Sequence, residues 1–369
     1  MSQVQTPGKR YALEASGLSV ILGGQRVLQV PSLQILPNEV LVVIGPNGSG
    51  KTTLLLSLAL LVKPASGTIS YNGQAINGSG ILGLRRRFAV VFQESLLLNT
   101  TVWDNVALGL RMRGFKKDET NARTQKWLER FGIASLARRQ ARMLSGGEAK
   151  RVSLARAFAL QPEVLFLDEP FAALDTPTHQ SLIEDFENVL RETRVTTLMV
   201  THERNEAMIL ADRIAVLMGG SIRQLGSPEE VFGSPVDEEV AKLVESGNIL
   251  RGVVTANDNG LVSINAKGQQ LEAVSDLTIG SSVTVYVNYE DVTIMLPSAE
   301  KISTSARNKL SGTIVRMFPV GSQIKVTLDC GFTLASVITR RSMEELGLEV
   351  GQEIVAYFKA SSLHLIPQL

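Results

Sequence analysis

Residues Val40 to Thr53, Val-Leu-Val-Val-Ile-Gly-Pro-Asn-Gly-Ser-Gly-Lys-Thr-Thr, leave a chain little choice of fold. Val40 to Ile44 is a solid apolar run with the composition of a parallel strand buried on both faces. The chain then turns through Gly45-Pro46-Asn47-Gly48-Ser49-Gly50 and enters Lys51-Thr52-Thr53 and the apolar run Leu54 to Val62. The order is strand, glycine loop, helix, and the loop fits G-x-x-x-x-G-K-[ST]. Glycines let backbone N–H groups converge on phosphate oxygens, and the helix N-terminus adds the positive end of its dipole. Lys51 supplies a point charge for the β- and γ-phosphates, and the Thr52 hydroxyl is placed to hold Mg²⁺. The segment predicts a nucleoside triphosphate with Mg²⁺ as ligand, but leaves the reaction open.

At 369 residues the chain exceeds one ordinary core and suits two or three domains. A net charge of +1 gives no bulk electrostatic argument for nucleic acid or an anionic membrane. The single cysteine, Cys330, excludes an intramolecular disulfide and fits a reducing cytoplasm. No run reaches the length of a membrane span, and Met1 to Arg10 is polar, without an apolar signal region. Membrane association is therefore expected only through a partner.

Tyr11 to Pro37 alternates apolar and polar residues around Gly23-Gly24 and predicts antiparallel strands. Phe88 to Phe92 reads as a buried strand ending at Gln93, a candidate ligand for Mg²⁺ or water. Val102 to Leu110, Lys117 to Phe131 and Ala134 to Arg142 have helical periodicity and predict a helical insertion over about 94–145. Ser145 caps a helix that opens Gly146-Gly147-Glu148, a second anion-receptive helix start. Glu163 to Leu167 is a buried strand that delivers Asp168 and Glu169 at its end. A carboxylate there suits Mg²⁺, which is assigned to Asp168, and the adjacent Glu169 is the candidate general base. A further buried strand, Thr196 to Thr201, delivers His202, whose imidazole would contact the γ-phosphate and water.

Together these pieces resemble the ATP-binding cassette (ABC) ATPases. The phosphate loop, Gln93, Leu144-Ser145-Gly146-Gly147-Glu148, Val164 to Pro170, Ala172-Ala173-Leu174-Asp175 and Val200-Thr201-His202 occur in that family's order, over roughly Tyr11 to Pro235. The resemblance implies an α/β P-loop NTPase, an ABC cassette with a helical subdomain, over 1–235. It implies ATP and Mg²⁺ as cofactors, held by Gly45, Pro46, Asn47, Gly48, Ser49, Gly50, Lys51, Thr52, Thr53 and Gln93. Thr52, Gln93 and Asp168 fall to the metal, and Glu169 and His202 to catalysis. Cassettes of this family stack head to tail, so Ser145, Gly146 and Gly147 are expected to act across a homodimer. Three positions depart from the family pattern. Glu148 stands for glutamine, and Ala172 for serine. Leu22 stands where an aromatic residue usually stacks on adenine, and leucine offers no ring.

Beyond a helical linker, Asp237 to Glu245, the sequence turns all-β and contains a repeat. Asn248 to Val254 matches Asn308 to Ile314, and Leu277 to Val287 matches Leu348 to Phe358. The second copy is longer and includes Ser342-Met343-Glu344-Glu345, a capping-box pattern for one short helix. Tandem OB-type lobes are expected over 236–300 and 301–369. Their aromatic residues are sparse and not interleaved with basic ones, which argues against nucleic acid. The second lobe resembles the molybdate/tungstate-binding fold of molbindins and of molybdate-importer ATPases. Ser305-Ala306-Arg307-Asn308 and Lys359-Ala360-Ser361 carry that resemblance, so Ser305, Ala306, Arg307, Lys359 and Ser361 are the candidate oxyanion residues. The combined resemblance implies the ATPase subunit of a molybdate or tungstate importer. It would work at the cytoplasmic face of the membrane with permease subunits, and indirectly with a periplasmic or extracellular solute-binding protein. The alternatives are an importer of another solute such as a sugar, sulfate or iron, and a non-transport cassette protein.

Overall fold

The structure is a computed structural model; it describes residues 11–76, 78, 80–244, 247–297 and 304–368. The polar stretch Met1–Arg10 and Glu245, at the end of the expected linker helix, lie outside these. The chain divides into two compact units, Met1–Pro228 and Glu229–Leu369.

The first unit begins with β1 (Leu13–Leu22), β2 (Gln25–Ile35), β3 (Val40–Ile44), α1 (Lys51–Leu58), β4 (Ser66–Tyr71), β5 (Gln74–Ala75), α2 (Ile81–Arg85) and β6 (Phe88–Val91). It continues through α3 (Val102–Met112), α4 (Lys117–Arg130), α5 (Gly146–Ala159), β7 (Val164–Asp168), α6 (Thr176–Thr193), β8 (Thr196–Val200), α7 (Arg204–Leu210), β9 (Arg213–Met218) and β10 (Ser221–Gly226). The β2-β1-β4-β5 sheet is antiparallel. The six-stranded sheet runs β10-β9-β3-β8-β7-β6, parallel except for β10. Every residue of β3, β7 and β8 is buried, as near-continuous apolar runs require of a sheet covered on both faces. Leu13, Leu18 and Leu28 of the antiparallel sheet share one core with Leu54 and Leu58 of α1 and with Leu198 of β8. That packing fixes the helix behind the phosphate loop between two sheets. Gly23 and Gly24 turn β1 into β2 with φ of 56° and 80°, the left-handed pair a tight hairpin needs.

Two local expectations are corrected. The loop helix was expected to run to Val62, but α1 ends at Leu58. Leu60 adopts φ of 63°, and the Leu61 and Leu60 N–H groups donate to Leu56 and Ser57 carbonyls at 2.8 and 3.0 Å. This left-handed stop satisfies the last carbonyls without the usual glycine. Ala134 to Arg142 is not a helix but two 3-10 turns, Ala134–Leu136 and Ala141–Met143. Its Ala137 and Arg139 carbonyls instead accept from the Trp103 and Val102 N–H groups, both at 2.9 Å. The segment thus supplies partners to the start of α3, whose own N–H groups would otherwise lack them.

The second unit takes in α8 (Pro228–Gly233) from its second residue, then α9 (Glu238–Val244), β11 (Gly247–Asp258), β12 (Leu261–Ala266), β13 (Gln269–Val274), β14 (Ser282–Asn288) and β15 (Thr293–Met295). After these come β16 (Asn308–Val320), β17 (Gln323–Asp329), β18 (Thr333–Thr339), α10 (Arg340–Glu345), β19 (Glu353–Phe358) and β20 (His364–Pro367). The two five-stranded sheets run β13-β12-β11-β14-β20 and β15-β19-β16-β17-β18. The repeat is visible in this order, but each lobe lends its last strand to the other. β15 pairs with β19, and β20 pairs with β14. Two buried asparagines at equivalent repeat positions tie the lobes further. Asn248 Nδ2 donates to the Ala335 carbonyl at 2.9 Å and its Oδ1 accepts from the Ala335 N–H at 2.6 Å. Asn308 does the same to the backbone of Glu272, at 2.9 and 2.8 Å. The cap of α10 is Thr339 rather than Ser342: its Oγ1 accepts the Ser342 N–H at 3.0 Å, placing Ser342 inside the first turn.

Candidate functional site

Because β3, β8, β7 and β6 are parallel neighbours, the segments after them emerge along one edge of the sheet. That edge is where open α/β sheets bind ligands. The phosphate loop follows β3. Gly45 tolerates no side chain, since a Cβ there would lie 2.1 Å from the Leu217 carbonyl oxygen. Gly50 caps α1 with φ of 100°, so no side chain stands over the first turn. Two features suit the loop to a phosphate. The buried Ser49 Oγ has no hydrogen-bond partner. Lys51, also buried, folds its Nζ onto the Gly45 and Pro46 carbonyls at 2.8 and 3.2 Å. Burial pulls the pKa of Lys51 down, and the charges of Glu169 and Asp168 oppose that. A desolvated ammonium held on its own loop is the state that phosphate oxygens would replace.

The structure brings Thr52 and Asp168 together: Thr52 Oγ1 donates to Asp168 Oδ1 at 3.0 Å. Burial raises the Asp168 pKa, the Thr52 bond lowers it and the Glu169 charge raises it again. A hydroxyl and one carboxylate are hard oxygen donors of the kind Mg²⁺ takes alongside nucleotide phosphates. Among the described residues no three His, Cys, Asp or Glu side chains gather into a metal-holding group, so phosphates and water would have to complete such a site. Gln93 is exposed after β6.

Glu169 sits at φ of 43°, left-handed and costly for a residue with a side chain. Its N–H donates to the Val200 carbonyl at 2.9 Å, which locks the turn beside β8. There Glu169 Oε1 lies 3.2 Å from His202 Nδ1. The His202 loop is itself held. Thr201 Oγ1 donates to Glu206 at 2.6 Å and accepts the Glu203 N–H at 3.0 Å. The other oxygen of Glu206 meets His179 Nε2 at 2.8 Å, and Glu206 is fully buried, which raises its pKa. Sequence reasoning missed Glu206 and His179, because only the fold brings α6 and α7 together.

Ser145 caps α5 in a full capping box. Its Oγ accepts the Glu148 N–H at 3.3 Å, and Glu148 Oε2 accepts the Ser145 N–H at 2.7 Å. Glu148, a departure from the family pattern, thus performs the capping that a carboxylate does well. Leu22 lies half-exposed at the β1–β2 turn.

In the second unit, Ser305, Arg307, Lys359 and Ser361 are exposed and Ala306 is half-buried. Arg307 Nε lies 3.5 Å from Glu272 Oε2 of β13. The 3-10 turn Ala360–Ser362, capped by Lys359, packs on the same strand. Both candidate oxyanion segments therefore border β13, where Arg307 already has a carboxylate partner.

Comparison with known proteins gives two family matches, ABC transporter over residues 28–172 and TOBE domain over residues 304–365. The chain is 36% identical to the molybdate/tungstate import ATP-binding protein WtpC of Pyrococcus horikoshii, over 91% of this chain and 94% of that one. It is 35% identical to the spermidine/putrescine import ATP-binding protein PotA of Mesorhizobium japonicum, over 90% and 91%. Among solved structures, CbiO1 of Clostridium perfringens, part of the ABC transporter complex CbiONQ, superposes with a TM-score of 0.57 at 30% identity, covering 64% of this chain and 95% of that one. The ATP-binding cassette MJ0796, solved as a dimer in a post-hydrolysis state with ADP and Pi, gives a TM-score of 0.54 at 26% identity, covering 58% and 98%.

Proposed function

The chain belongs to the ABC transporter ATPases, and from that premise we propose that it energises import of molybdate or tungstate as a homodimer docked on a membrane permease. ATP is bound by the Gly45–Thr53 loop, with Lys51 leaving its loop carbonyls for the β- and γ-phosphates. Mg²⁺, held by Thr52, Asp168 and Gln93, would neutralise charge on the phosphate oxygens. Glu169 accepts the proton of the attacking water, and His202, 3.2 Å away, orients that carboxylate and reaches the γ-phosphate. Ser145, Gly146 and Gly147 of one copy complete the site on the other; the dimeric form of the related cassette supports this.

No described helix is long and apolar enough to cross a membrane, so attachment would come through the permease. A groove of about 340 Å³ in the first unit, lined by Phe92, Leu96, Leu98, Leu108, Met112 and Leu160, offers an apolar seat for it. The solute assignment is carried by one observation: likeness to a molybdate/tungstate import protein along nine-tenths of the chain, together with Ser305-Ala306-Arg307 and Lys359-Ala360-Ser361 in the matched TOBE domain. Calorimetry of the full chain against molybdate, tungstate and sulfate tests it. Binding of the first two, lost in Lys359→Ala with Ser305→Ala, is expected. Silence toward all three would favour the second reading, a solute such as the polyamines of the PotA relative. The Glu272 carboxylate beside Arg307 is the feature on that side of the balance.

A further inference from the structure

The face of α5 that meets the Gln93 loop carries Lys150, Ser153 and Arg156, three residues apart and so on one side of the helix. Each reaches a backbone carbonyl of the segment after β6. Lys150 Nζ donates to the Gln93 carbonyl. Ser153 Oγ donates to the Ser95 carbonyl at 2.8 Å. Arg156 donates to the Ser95 and Leu96 carbonyls at 3.1 and 3.0 Å. Lys150 and Ser153 are 6% and 2% exposed, so their ends of these bonds are shielded from water. Leu96 itself sits at φ of 42°, a conformation the loop holds only under external constraint. Lys150 is desolvated, and Glu169, Glu206 and Asp168 are the carboxylates whose charge acts on it. One buried cation thus holds the Gln93 backbone while the charges of these carboxylates act on it. Ser145 caps the other end of the same rigid helix, and Ser153 and Arg156 line the apolar groove on its outer side.

We propose that Lys150, Ser153 and Arg156 clamp the Gln93–Leu96 loop to the signature helix, so that Gln93 and Ser145 move as one part, with Lys150 a positioning residue for hydrolysis. The inference rests on the cassette reading. A loop tied by one or two carbonyls could drift. Three carbonyls in four residues bound to one helix leave it no independent position.

The test uses the purified full chain, with ATP affinity, steady-state kcat and hydrogen exchange of residues 93–98 read on each variant. Lys150→Met removes charge and donor, Lys150→Arg keeps both, and Ser153→Ala removes one hydroxyl. Lys150→Met is expected to lower kcat by about 10- to 100-fold, the scale of small misplacements at a reacting centre. Its ATP Kd should stay within about twofold, and exchange at 93–98 should accelerate while that of 145–160 does not. Lys150→Arg should recover most of the rate, and Ser153→Ala should shift exchange at 93–98 the same way by less. A wild-type rate in Lys150→Met would overturn the proposal. So would a rate loss accompanied by faster exchange throughout the cassette, which would mark general destabilisation. Failure of the unmodified chain to bind ATP would instead overturn the nucleotide reading beneath it.

Discussion

The edge of the parallel sheet and the candidate oxyanion region of the second lobe use charge in opposite ways. At the sheet edge, Lys51, Lys150, Asp168 and Glu206 are all buried, each tied to a neighbour by a hydrogen bond. In the lobe, Ser305, Arg307, Lys359 and Ser361 are exposed, and Arg307 faces a carboxylate. Among the described residues of the second unit, the buried polar side chains include Asn248 and Asn308, which spend their neutral amides on backbone groups of the opposite lobe. A buried ion without a partner is costly, so a site of buried ions is built in advance by the chain that carries it. Exposed cations are cheap to keep and weak alone, and hold a dianion only when further donors converge on it.

The largest predicted effect is at the sheet edge. Glu169→Gln should keep ATP binding and lower turnover by about 10²- to 10⁴-fold, the usual loss for a general base, and should accumulate an ATP-bound dimer. Lys51→Ala should fail earlier, at nucleotide binding. Near-normal hydrolysis by Glu169→Gln would remove that carboxylate from the base role and weaken the contrast at its strongest point.

Next come the asparagines. Asn248→Ala or Asn308→Ala strands a buried N–H and a buried carbonyl, and should cost the second unit about 2–3 kcal/mol. Denaturant unfolding would measure this. A cost near zero would mean the exchanged strands β15 and β20 alone hold the lobes together.

A smaller effect concerns Glu272. Glu272→Gln removes the carboxylate beside Arg307 and should tighten molybdate binding several-fold, on the order of 1 kcal/mol for a part-exposed pair. Unchanged or weaker binding in calorimetry would place the anion away from Arg307. The smallest change is expected at Leu22, where Leu22→Tyr should improve ATP affinity by about 0.5 kcal/mol through stacking. No change in a competition assay between ATP and GTP would show that the half-exposed β1–β2 turn does not meet the base.

Local chemistry determined much of this protein before any folding was known. Gly45 to Thr53, the Ser145 cap and the carboxylates ending an apolar strand are signals written in adjacent residues, and the family's motif order made the cassette legible. The repeat Asn248 to Val254 and Asn308 to Ile314 announced paired lobes in the same way. The end of α1 and the cap of α10 were decided by near neighbours; elsewhere a non-local partner decided where the reading failed. Ala134 to Arg142 has helical periodicity, yet its carbonyls serve the start of α3. Nothing in the sequence around Lys150 points to its partner, the Gln93 carbonyl 57 residues away. Thr52 and Asp168 meet across 116 residues, and Asn248 and Ala335 across 87. The exchange of β15 and β20 has no sequence signature, because a strand's alternation states which face is buried but not which sheet it joins. Propensity, capping and turn chemistry are short-range and can be read along the chain. The pairing of buried polar groups and strand edges is settled only when distant segments compete for the same partners, and that competition is decided by the tertiary fold.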